Sequence, residues 1–180
     1  MIFQSALRLV KEKGLAGITM SEIARNAGMA TGTLYIYFSC KEQLVNTIFA
    51  ECRKASVESY FRNYDASLPF KSGFATVWKN MLAFRINNFD EVVFMEQCYH
   101  SPFLNACTKQ LTEQMIRPLY QLIERGKEEN VFKEMDTYTL LVFMIGSIHE
   151  GVKKAHYSRQ PLGKKAIQDM FTLCWDGLKK

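Results

Sequence analysis

The sequence predicts an all-α protein, and three observations lead to that prediction. Apolar residues recur at the three- and four-residue spacing of amphipathic helices along almost the whole chain of 180 residues. The alternation of apolar and polar residues that is typical of strands is weak throughout. Proline and glycine, with 4 and 10 residues, lie mainly between the periodic stretches. Hydrophobic residues make up 48% of the chain, which is enough for a sizeable core.

The start of the chain predicts three helices. Residues 2–13 place apolar side chains on one face, and Gly14 is expected to end this helix. The stretch Thr19–Glu22 fits a capping box, in which the first and last side chains each bind the other residue's backbone amide. This box begins a short helix over residues 20–27. A third short helix is expected over residues 31–37.

The remainder of the chain predicts about six further helices. Ser39–Glu42 fits a second capping box and begins a long helix that extends to about Tyr64. Pro102 suits the first turn of a later helix. Pro118 lies within the same periodic stretch and is expected to kink or split it. The helices expected after residue 64 cover residues 69–88, 90–99, 102–130, 136–157 and 164–178, which makes about nine in all.

The two short helices near the start indicate a helix-turn-helix. A tight turn at Gly28–Met29 joins them, and a longer helix lies before them. In this arrangement the second short helix lies in the major groove of DNA. We therefore divide the chain into a three-helix DNA-binding domain over residues 1–45 and a helical ligand-binding and dimerisation domain over residues 46–180.

Side chains around the second short helix suit contact with DNA. Small or hydroxyl-bearing residues at its start allow the backbone to approach DNA closely, and tyrosine hydroxyls can donate to phosphate oxygens. A lysine in the first turn of the next helix can anchor a phosphate together with the free amides of that turn. The threonine that caps the preceding helix can meet phosphate in a similar way. The candidate DNA-binding residues are Thr19, Thr31, Gly32, Thr33, Tyr35, Tyr37 and Lys41.

The segment Ile18–Leu44 resembles the signature of the TetR family of bacterial regulators. The matching elements include Gly-Thr-Leu-Tyr-Ile-Tyr-Phe at residues 32–38 and Lys-Glu-Gln-Leu at residues 41–44. The resemblance implies a homodimer that binds a roughly palindromic operator and a C-terminal helical domain that holds a small effector. It also implies that effector binding lowers the affinity for DNA and derepresses the gene. It assigns DNA contacts to all the candidates named above except Gly32.

Two residues depart from the family pattern. Ile36 stands where the family often has a histidine that contacts phosphate. Ala30 stands at the expected N-cap of the second short helix, where alanine caps poorly, and Thr31 is the alternative cap. The first 45 residues also carry only five basic and three acidic side chains. These features leave open an alternative function, a helical ligand-binding or interaction module that no longer reads DNA.

Aromatic and methionine residues are concentrated between residues 60 and 120. Such stripes are mostly core, but a regulator pocket is also mainly apolar, with a few polar groups directed inward. Methionine side chains adapt to irregular ligand shapes. We therefore expect a small apolar or amphipathic effector. The candidate effector-binding residues are Tyr64, Trp78, Met81, Phe84, Tyr99, Phe103, Met115 and His149.

The last two helices are expected to form a homodimer interface. Residues 140–148 are apolar around the whole helix, which is hard to bury within one chain of this size. The last helix adds a broad apolar face, and Gly146 and Gly151 would permit close helix approach. With their symmetry mates the two helices would form a four-helix bundle. The alternative is that both helices close the core of the monomer.

The sequence gives no support for an enzyme, a metal site or a cofactor. It contains no glycine-rich phosphate loop, His-Glu-x-x-His motif or nucleophile elbow. The 5 cysteines are odd in number and lack Cys-x-x-Cys spacing, which favours reduced thiols. Cys98 and His100 would point to different sides of a helix, so a metal site with Cys107 is not expected. Because no long apolar span or signal-peptide pattern occurs, we expect a cytoplasmic protein without a membrane partner.

Overall fold

The structure, a computed structural model that describes all 180 residues, consists of ten α-helices. Their bounds are α1 Ile2–Gly17, α2 Met20–Asn26, α3 Thr31–Tyr37, α4 Lys41–Tyr60, α5 Phe70–Asn87, α6 Phe89–Tyr99, α7 Ala106–Met115, α8 Arg117–Glu128, α9 Thr137–Ser158 and α10 Lys164–Leu178. The predicted all-α fold is confirmed. Within α1, Gly14 has a φ of +76° and breaks the helix where the sequence predicted its end. None of the ten helices combines the length and the apolar character that a membrane span requires.

The structure has one helix more than the nine expected, because the predicted helix over residues 102–130 is divided. α7 and α8 are separated at Ile116, and Pro118 lies in the first turn of α8. Proline is well tolerated there, since the amides of the first turn have no partner within the helix. The expected effect of Pro118 is therefore confirmed as a split rather than a kink.

The start of α7 differs from the prediction. The prediction placed Pro102 in its first turn, but the helix begins at Ala106. The side chain of Asn105 accepts a hydrogen bond from the amide of Thr108 at 2.8 Å and so caps the helix at this later point.

The end of α4 also differs from the prediction, since the helix stops at Tyr60 and not near Tyr64. Asn63 follows with a φ of +58°, a left-handed conformation that cannot continue an α-helix. The side chain of Asn80 donates to the carbonyls of Tyr60 and Arg62 at 3.0 and 2.8 Å. A residue of α5 therefore satisfies the carbonyls that the end of α4 leaves without helical partners.

The first compact unit comprises Met1–Ala55 and Asn88–Gln114. In it α1 packs against α2 and α6, and α2 packs against α3. Its core contains the fully buried side chains of Val10, Ile23, Leu34, Ile48, Phe49 and Phe94. This burial stabilises α2 and α3, because helices of seven residues do not persist on their own in water.

The second compact unit comprises Ser56–Asn87 and Met115–Lys180. In it α9 packs against α5, α8 and α10. Its core includes an aromatic cluster whose ring centroids lie 5.0 to 6.3 Å apart. The cluster consists of Phe70, Phe74, Phe132 and Trp175. Rings at these distances interlock in edge, tilted and stacked arrangements, so the core has little freedom to rearrange.

Two helical glycines of the second unit test how rigid this aromatic cluster is. A Cβ added at Gly126 in α8 would lie 2.5 Å from a ring carbon of Phe132 and 2.7 Å from one of Phe70. Neither ring has room to move aside. We therefore expect Gly126→Ala to lower the free energy of unfolding by about 1–3 kcal/mol, as urea denaturation would measure.

Gly151→Ala in α9 is the matched control. Its new methyl group would meet only the flexible thioether end of Met170, and alanine is a better helix former than glycine. Its free energy of unfolding should stay within about 1 kcal/mol of the wild type. Equal stability of the two variants would contradict a rigid aromatic cluster.

Candidate nucleic-acid interface

The turn between α2 and α3 has the geometry that a helix-turn-helix requires. Ala27 ends α2, and Gly28 adopts a φ of +71°, where any residue with a Cβ is strained. The amide of Gly28 donates to the Arg25 carbonyl at 3.2 Å, and the amide of Met29 donates to the Ala24 carbonyl at 3.0 Å. These two bonds form a Schellman motif, which fixes the direction in which the chain leaves α2.

α3 is anchored by one side chain and exposes most of the others. Leu34 is fully buried and faces the core of the first unit. The side chains of Tyr35, Ile36 and Tyr37 are 50%, 80% and 63% exposed. Among the other residues of α3, Gly32 and Thr33 are exposed and Thr31 is half-buried. The candidate contacts on α3 therefore lie on an accessible surface beside a single buried anchor.

The start of α3 has no side-chain cap. Ala30 is the N-cap residue, and its carbonyl accepts from the amides of Thr33 and Leu34 at 3.0 and 3.3 Å. Thr31, the alternative cap, lies inside the helix. The departure at Ala30 is therefore real, and α3 relies on the preceding turn and on Leu34 for its position.

The predicted capping box at the start of α2 is confirmed. The Thr19 hydroxyl accepts from the Glu22 amide at 3.2 Å, and the Glu22 carboxylate accepts from the Thr19 amide at 3.0 Å. The same hydroxyl also donates to Glu22, so both of its hydrogen-bonding roles are used inside the protein. Lys13 donates to the other carboxylate oxygen at 2.7 Å. The hydrogen bond from Lys13, followed by those from Thr19, lowers the pKa of Glu22 to about 2.

Lys41 lies in the first turn of α4, where the sequence placed it, and is half-buried. Its ammonium donates to the carbonyl of Ala16 at 3.3 Å and lies 4.6 Å from the centre of the Phe103 ring. Burial lowers the pKa of Lys41, and the negative charge of Glu22 opposes that shift. One carbonyl uses one of three ammonium N–H donors, so the others remain available for a phosphate.

The second predicted capping box, at the start of α4, forms with a different partner residue from the one expected. The carboxylate of Glu42 was expected to close it, but the side-chain oxygen of Gln43 accepts from the amide and the hydroxyl of Ser39 at 2.7 and 2.9 Å. Cys40 precedes α4 as its N-cap, and its carbonyl accepts from the amide of Leu44. Because the helix starts one residue later than the pattern indicated, the third helical position falls on Gln43.

Asn46 is a positioning residue that the sequence reading missed. Its side chain donates to the carbonyls of Glu42 and Phe103 at 2.8 and 2.7 Å, and it accepts from the amide of Asn105 at 3.1 Å. The side chain therefore ties α4 to the segment that follows α6. The signal was present in the sequence, since Asn46 is a polar residue between the apolar pairs Leu44–Val45 and Ile48–Phe49, which are buried.

The eight candidate effector-binding residues are divided between the two compact units. In the second unit, Trp78, Met81 and Phe84 are buried along α5, whereas Tyr64, Met115 and His149 are half-buried. Tyr64 has a structural partner, because its hydroxyl accepts from Arg125 at 3.0 Å. The other two candidates belong to the first unit, where Tyr99 is 58% exposed and Phe103 is half-buried.

Three surface depressions are open to solvent and involve none of these eight residues. One of about 510 Å³ lies beside α4 and the start of α7, and one of about 370 Å³ lies beside α1. The third, of about 460 Å³, follows the polar face of α8. Most of the residues that line them are polar types and the depressions are open, unlike an enclosed apolar pocket. Whether the eight candidates bind an effector stays a prediction.

The cysteines lie in two kinds of surroundings. Cys52, Cys98 and Cys174 are buried, whereas Cys40 and Cys107 are exposed. Burial raises the pKa of the thiols of Cys52 and Cys98 to about 12. Such thiols stay protonated and are poor nucleophiles and poor metal ligands. No group of three or more histidine, cysteine, aspartate or glutamate side chains is placed to hold a metal ion.

The fold and the exposed surface of α3 define a helix-turn-helix protein. Residues 2–48 match the profile of the bacterial regulatory proteins of the tetR family, and residues 69–179 match the profile of the tetracyclin repressor-like C-terminal domain. The second profile alone covers more than half of the chain. The protein belongs to the TetR family of bacterial regulatory proteins, which confirms the resemblance seen between Ile18 and Leu44.

Individual relatives agree with this assignment. An HTH-type transcriptional regulator of Haemophilus influenzae is 29% identical over 87 residues, which are 48% of this chain and 46% of that protein. The alignment thus spans about half the length of that relative. A TetR family regulator of Marinobacter aquaeolei superimposes with a TM-score of 0.90 at 20% identity, covering 99% and 94% of the two chains. Bacillus subtilis FadR, solved with stearoyl-CoA, gives a TM-score of 0.75 at 19% identity, covering 98% and 97%.

The charge of Glu22 should stabilise the helix-turn-helix in a pH-dependent way. Its folded pKa of about 2 lies below the ordinary value of 4.5, so its contribution is present above pH 4.5 and is lost as the pH falls toward 2. Glu22→Gln keeps an acceptor for Thr19 but has no charge to pair with Lys13. We expect the variant to be less stable than the wild type at neutral pH.

Urea denaturation at several pH values measures this effect. The difference between wild type and Glu22→Gln should shrink between pH 4.5 and 2, because the wild-type carboxylate becomes protonated there. Glu12→Gln, at an exposed glutamate of α1, is the control and should show no such narrowing. A Glu22→Gln difference that is the same at neutral and acid pH would rule out the ion pair as its source.

Proposed function

We propose that the protein is a cytoplasmic transcriptional repressor that binds its operator as a homodimer and is released by a small apolar or amphipathic effector. Residues 1–45 would form the DNA-binding domain and residues 46–180 the effector-binding and dimerisation domain. The single observation that carries the proposal is the surface of α3. It is exposed from Gly32 to Tyr37 except at the buried anchor Leu34, on a turn that holds the helix in a fixed direction.

The proposed contacts divide into base reading and phosphate binding. Thr33, near the exposed start of α3, would meet a base edge, and Gly32 would allow close approach because nothing lies within 4 Å of its missing Cβ. The hydroxyls of Tyr35 and Tyr37 would donate to phosphate oxygens. The contacts are completed by Thr31 on α3, by Lys41, and by Thr19, whose hydroxyl would exchange its donation to Glu22 for one to a phosphate oxygen.

The homodimer is proposed to form through α9 and α10. On α9, Tyr138, Val142 and Phe143 are exposed, and on α10 Leu173 is 73% exposed. Large apolar side chains on two adjacent helices are costly to leave in water, and a symmetric partner would cover them. Gly146 supports this placement, since the space around its missing Cβ is open. A dimer would present two α3 helices to successive turns of one DNA face.

The effector is proposed to bind in the second unit, near the buried face of α5 that carries Trp78, Met81 and Phe84. These side chains are apolar and nearly inaccessible, so a ligand there would be dehydrated along most of its surface. The fold neighbour FadR was solved with stearoyl-CoA, a long apolar chain with a polar head. That complex supports an amphipathic effector for this chain.

Removing the phosphate contacts should weaken DNA binding on every sequence alike. We expect the double variant Tyr37→Phe with Lys41→Ala to bind duplex DNA about tenfold or more weakly and to show a shallower dependence on salt, since phosphate contacts carry no sequence information. Fluorescence anisotropy at several salt concentrations, with DNA from upstream of the protein's own gene, measures both quantities. Lys79→Ala, at an exposed lysine of α5, is the control and should bind like the wild type.

The variant Thr33→Ala separates sequence-specific recognition of bases from sequence-independent binding to the DNA backbone. It should alter the preference among operator variants while leaving binding to unrelated DNA unchanged. Unchanged affinity of the double variant would overturn the contact assignment. Absence of any binding by the wild type, even at low salt, would favour the alternative of a ligand-binding module that does not read DNA, which the exposed and non-polar Ile36 supports.

Charges introduced on the proposed dimer face should separate the protomers. Val142→Glu with Leu173→Glu places two carboxylates where the interface would exclude water, so sedimentation analysis should show a monomer in place of a dimer. Leu111→Glu alters a similarly exposed apolar residue on α7 and should remain dimeric. A double variant that stays dimeric would place the interface elsewhere.

A further inference from the structure

An arginine continues the buried apolar stripe of α5. Phe74, Trp78 and Met81 recur at helical spacing and are fully buried, and the next position on the same face is Arg85. Arg85 is itself only 7% exposed. A guanidinium at this depth is unusual, because a buried charge is normally paired with an opposite charge.

The contacts of Arg85 do not neutralise its charge. Nη1 donates to the Tyr60 hydroxyl at 3.0 Å and makes a long contact of 3.5 Å with the Met81 carbonyl. The guanidinium carbon also lies 5.5 Å from the centre of the Tyr60 ring. Nε is buried and has no hydrogen-bond partner, and the groups that contact the guanidinium include no carboxylate. The positive charge therefore has no acidic counterpart, and one buried donor has no acceptor, among the groups that contact the guanidinium.

Arg125, in the same compact unit, differs from Arg85 in having an acidic partner. Its Nε donates to the Glu129 carboxylate at 2.6 Å, while Nη1 and Nη2 donate to the Tyr64 hydroxyl and the Leu68 carbonyl. Arg125 thus has an acidic partner although it is the more accessible of the two. The buried Arg85 has none.

We propose that Arg85 binds the carboxylate of the effector, and that the effector is a long-chain carboxylate whose apolar tail lies along the α5 stripe. A planar carboxylate can accept two parallel hydrogen bonds from the Nε edge of one guanidinium, in the side-on geometry that Arg–carboxylate pairs favour. Tyr60, Met81 and Phe84 would surround the pair with apolar and aromatic surface. The inference rests on the proposed function, because it names the chemical class of the effector at that same site.

A comparison of two ligands with the wild-type full chain tests the proposal without any mutation. Dodecanoate and its neutral methyl ester carry the same tail and differ in the charge of the head. Tryptophan fluorescence follows binding of each below its micelle concentration, since Trp78 lies two helical turns before Arg85. We expect dodecanoate to bind about tenfold or more tightly than the ester. Equal affinities, or tighter binding of the ester, would overturn the proposal.

Two variants assign the preference to Arg85. Arg85→Gln should bring the affinity for dodecanoate to that of the ester while leaving ester binding close to the wild type. Arg85→Lys retains a cation and should keep part of the preference, which guards against a glutamine variant that fails to fold. Arg117→Gln, at an exposed arginine of α8, is the matched control and should keep all of it. Arg85→Gln with an undiminished preference for dodecanoate would place the anion elsewhere.

A third probe, dodecanoyl-CoA, separates a free carboxylate from a larger anionic head. The proposal predicts that it binds more weakly than dodecanoate, and tighter binding that survives Arg85→Gln would overturn it. DNA binding measured in parallel separates this inference from the proposed function. If DNA is bound but dodecanoate is not, the carboxylate proposal fails and the repressor remains. If dodecanoate binds through Arg85 but no DNA is bound, the site stands and the repressor proposal fails.

Discussion

The helix-turn-helix depends on one backbone constraint, the left-handed conformation of Gly28 between α2 and α3. α3 has seven residues and no side-chain cap, so it cannot form or hold a direction by itself. The paired amide bonds at Gly28 and Met29 set where α3 begins, and the burial of Leu34 sets how it is rotated. Because these two features fix the position of α3, its remaining side chains are not needed in the core and stay accessible for the proposed contacts with DNA.

Around α3, single polar side chains of the first unit each hold more than one neighbouring element in place. Glu22 is at once the box partner of Thr19 and the ion-pair partner of Lys13. Lys41 and Asn46 both join α4 to the segment after α6, through the Phe103 ring and the backbone on either side of Leu104. The proposed DNA contacts are therefore held by polar bonds with defined geometry, which position groups more sharply than apolar packing does.

The helix boundaries around the helix-turn-helix were predictable from the sequence, because interactions between residues close in the chain determine them. Gly14, Gly28 and the Thr19–Glu22 box act within a few residues, and each behaves as its pattern indicated. The error at the end of α4 arose because a distant group decides where that helix stops. Asn80 on another helix satisfies the end of α4, which helical periodicity along α4 cannot reveal.

The candidate sites also differ in whether nearby or distant residues determine them. The exposed face of α3 follows from one buried leucine and the helical repeat, whereas the unpaired state of Arg85 depends on which residues surround it in space.

Hydroxyl-radical footprinting of the protein tests the central claim most directly, because Tyr35, Tyr37 and Tyr99 are similarly exposed, at 50%, 63% and 58%. If α3 reads DNA, bound duplex protects Tyr35 and Tyr37 from oxidation and leaves Tyr99 reactive. Binding of DNA without protection of Tyr35 and Tyr37 would contradict the account.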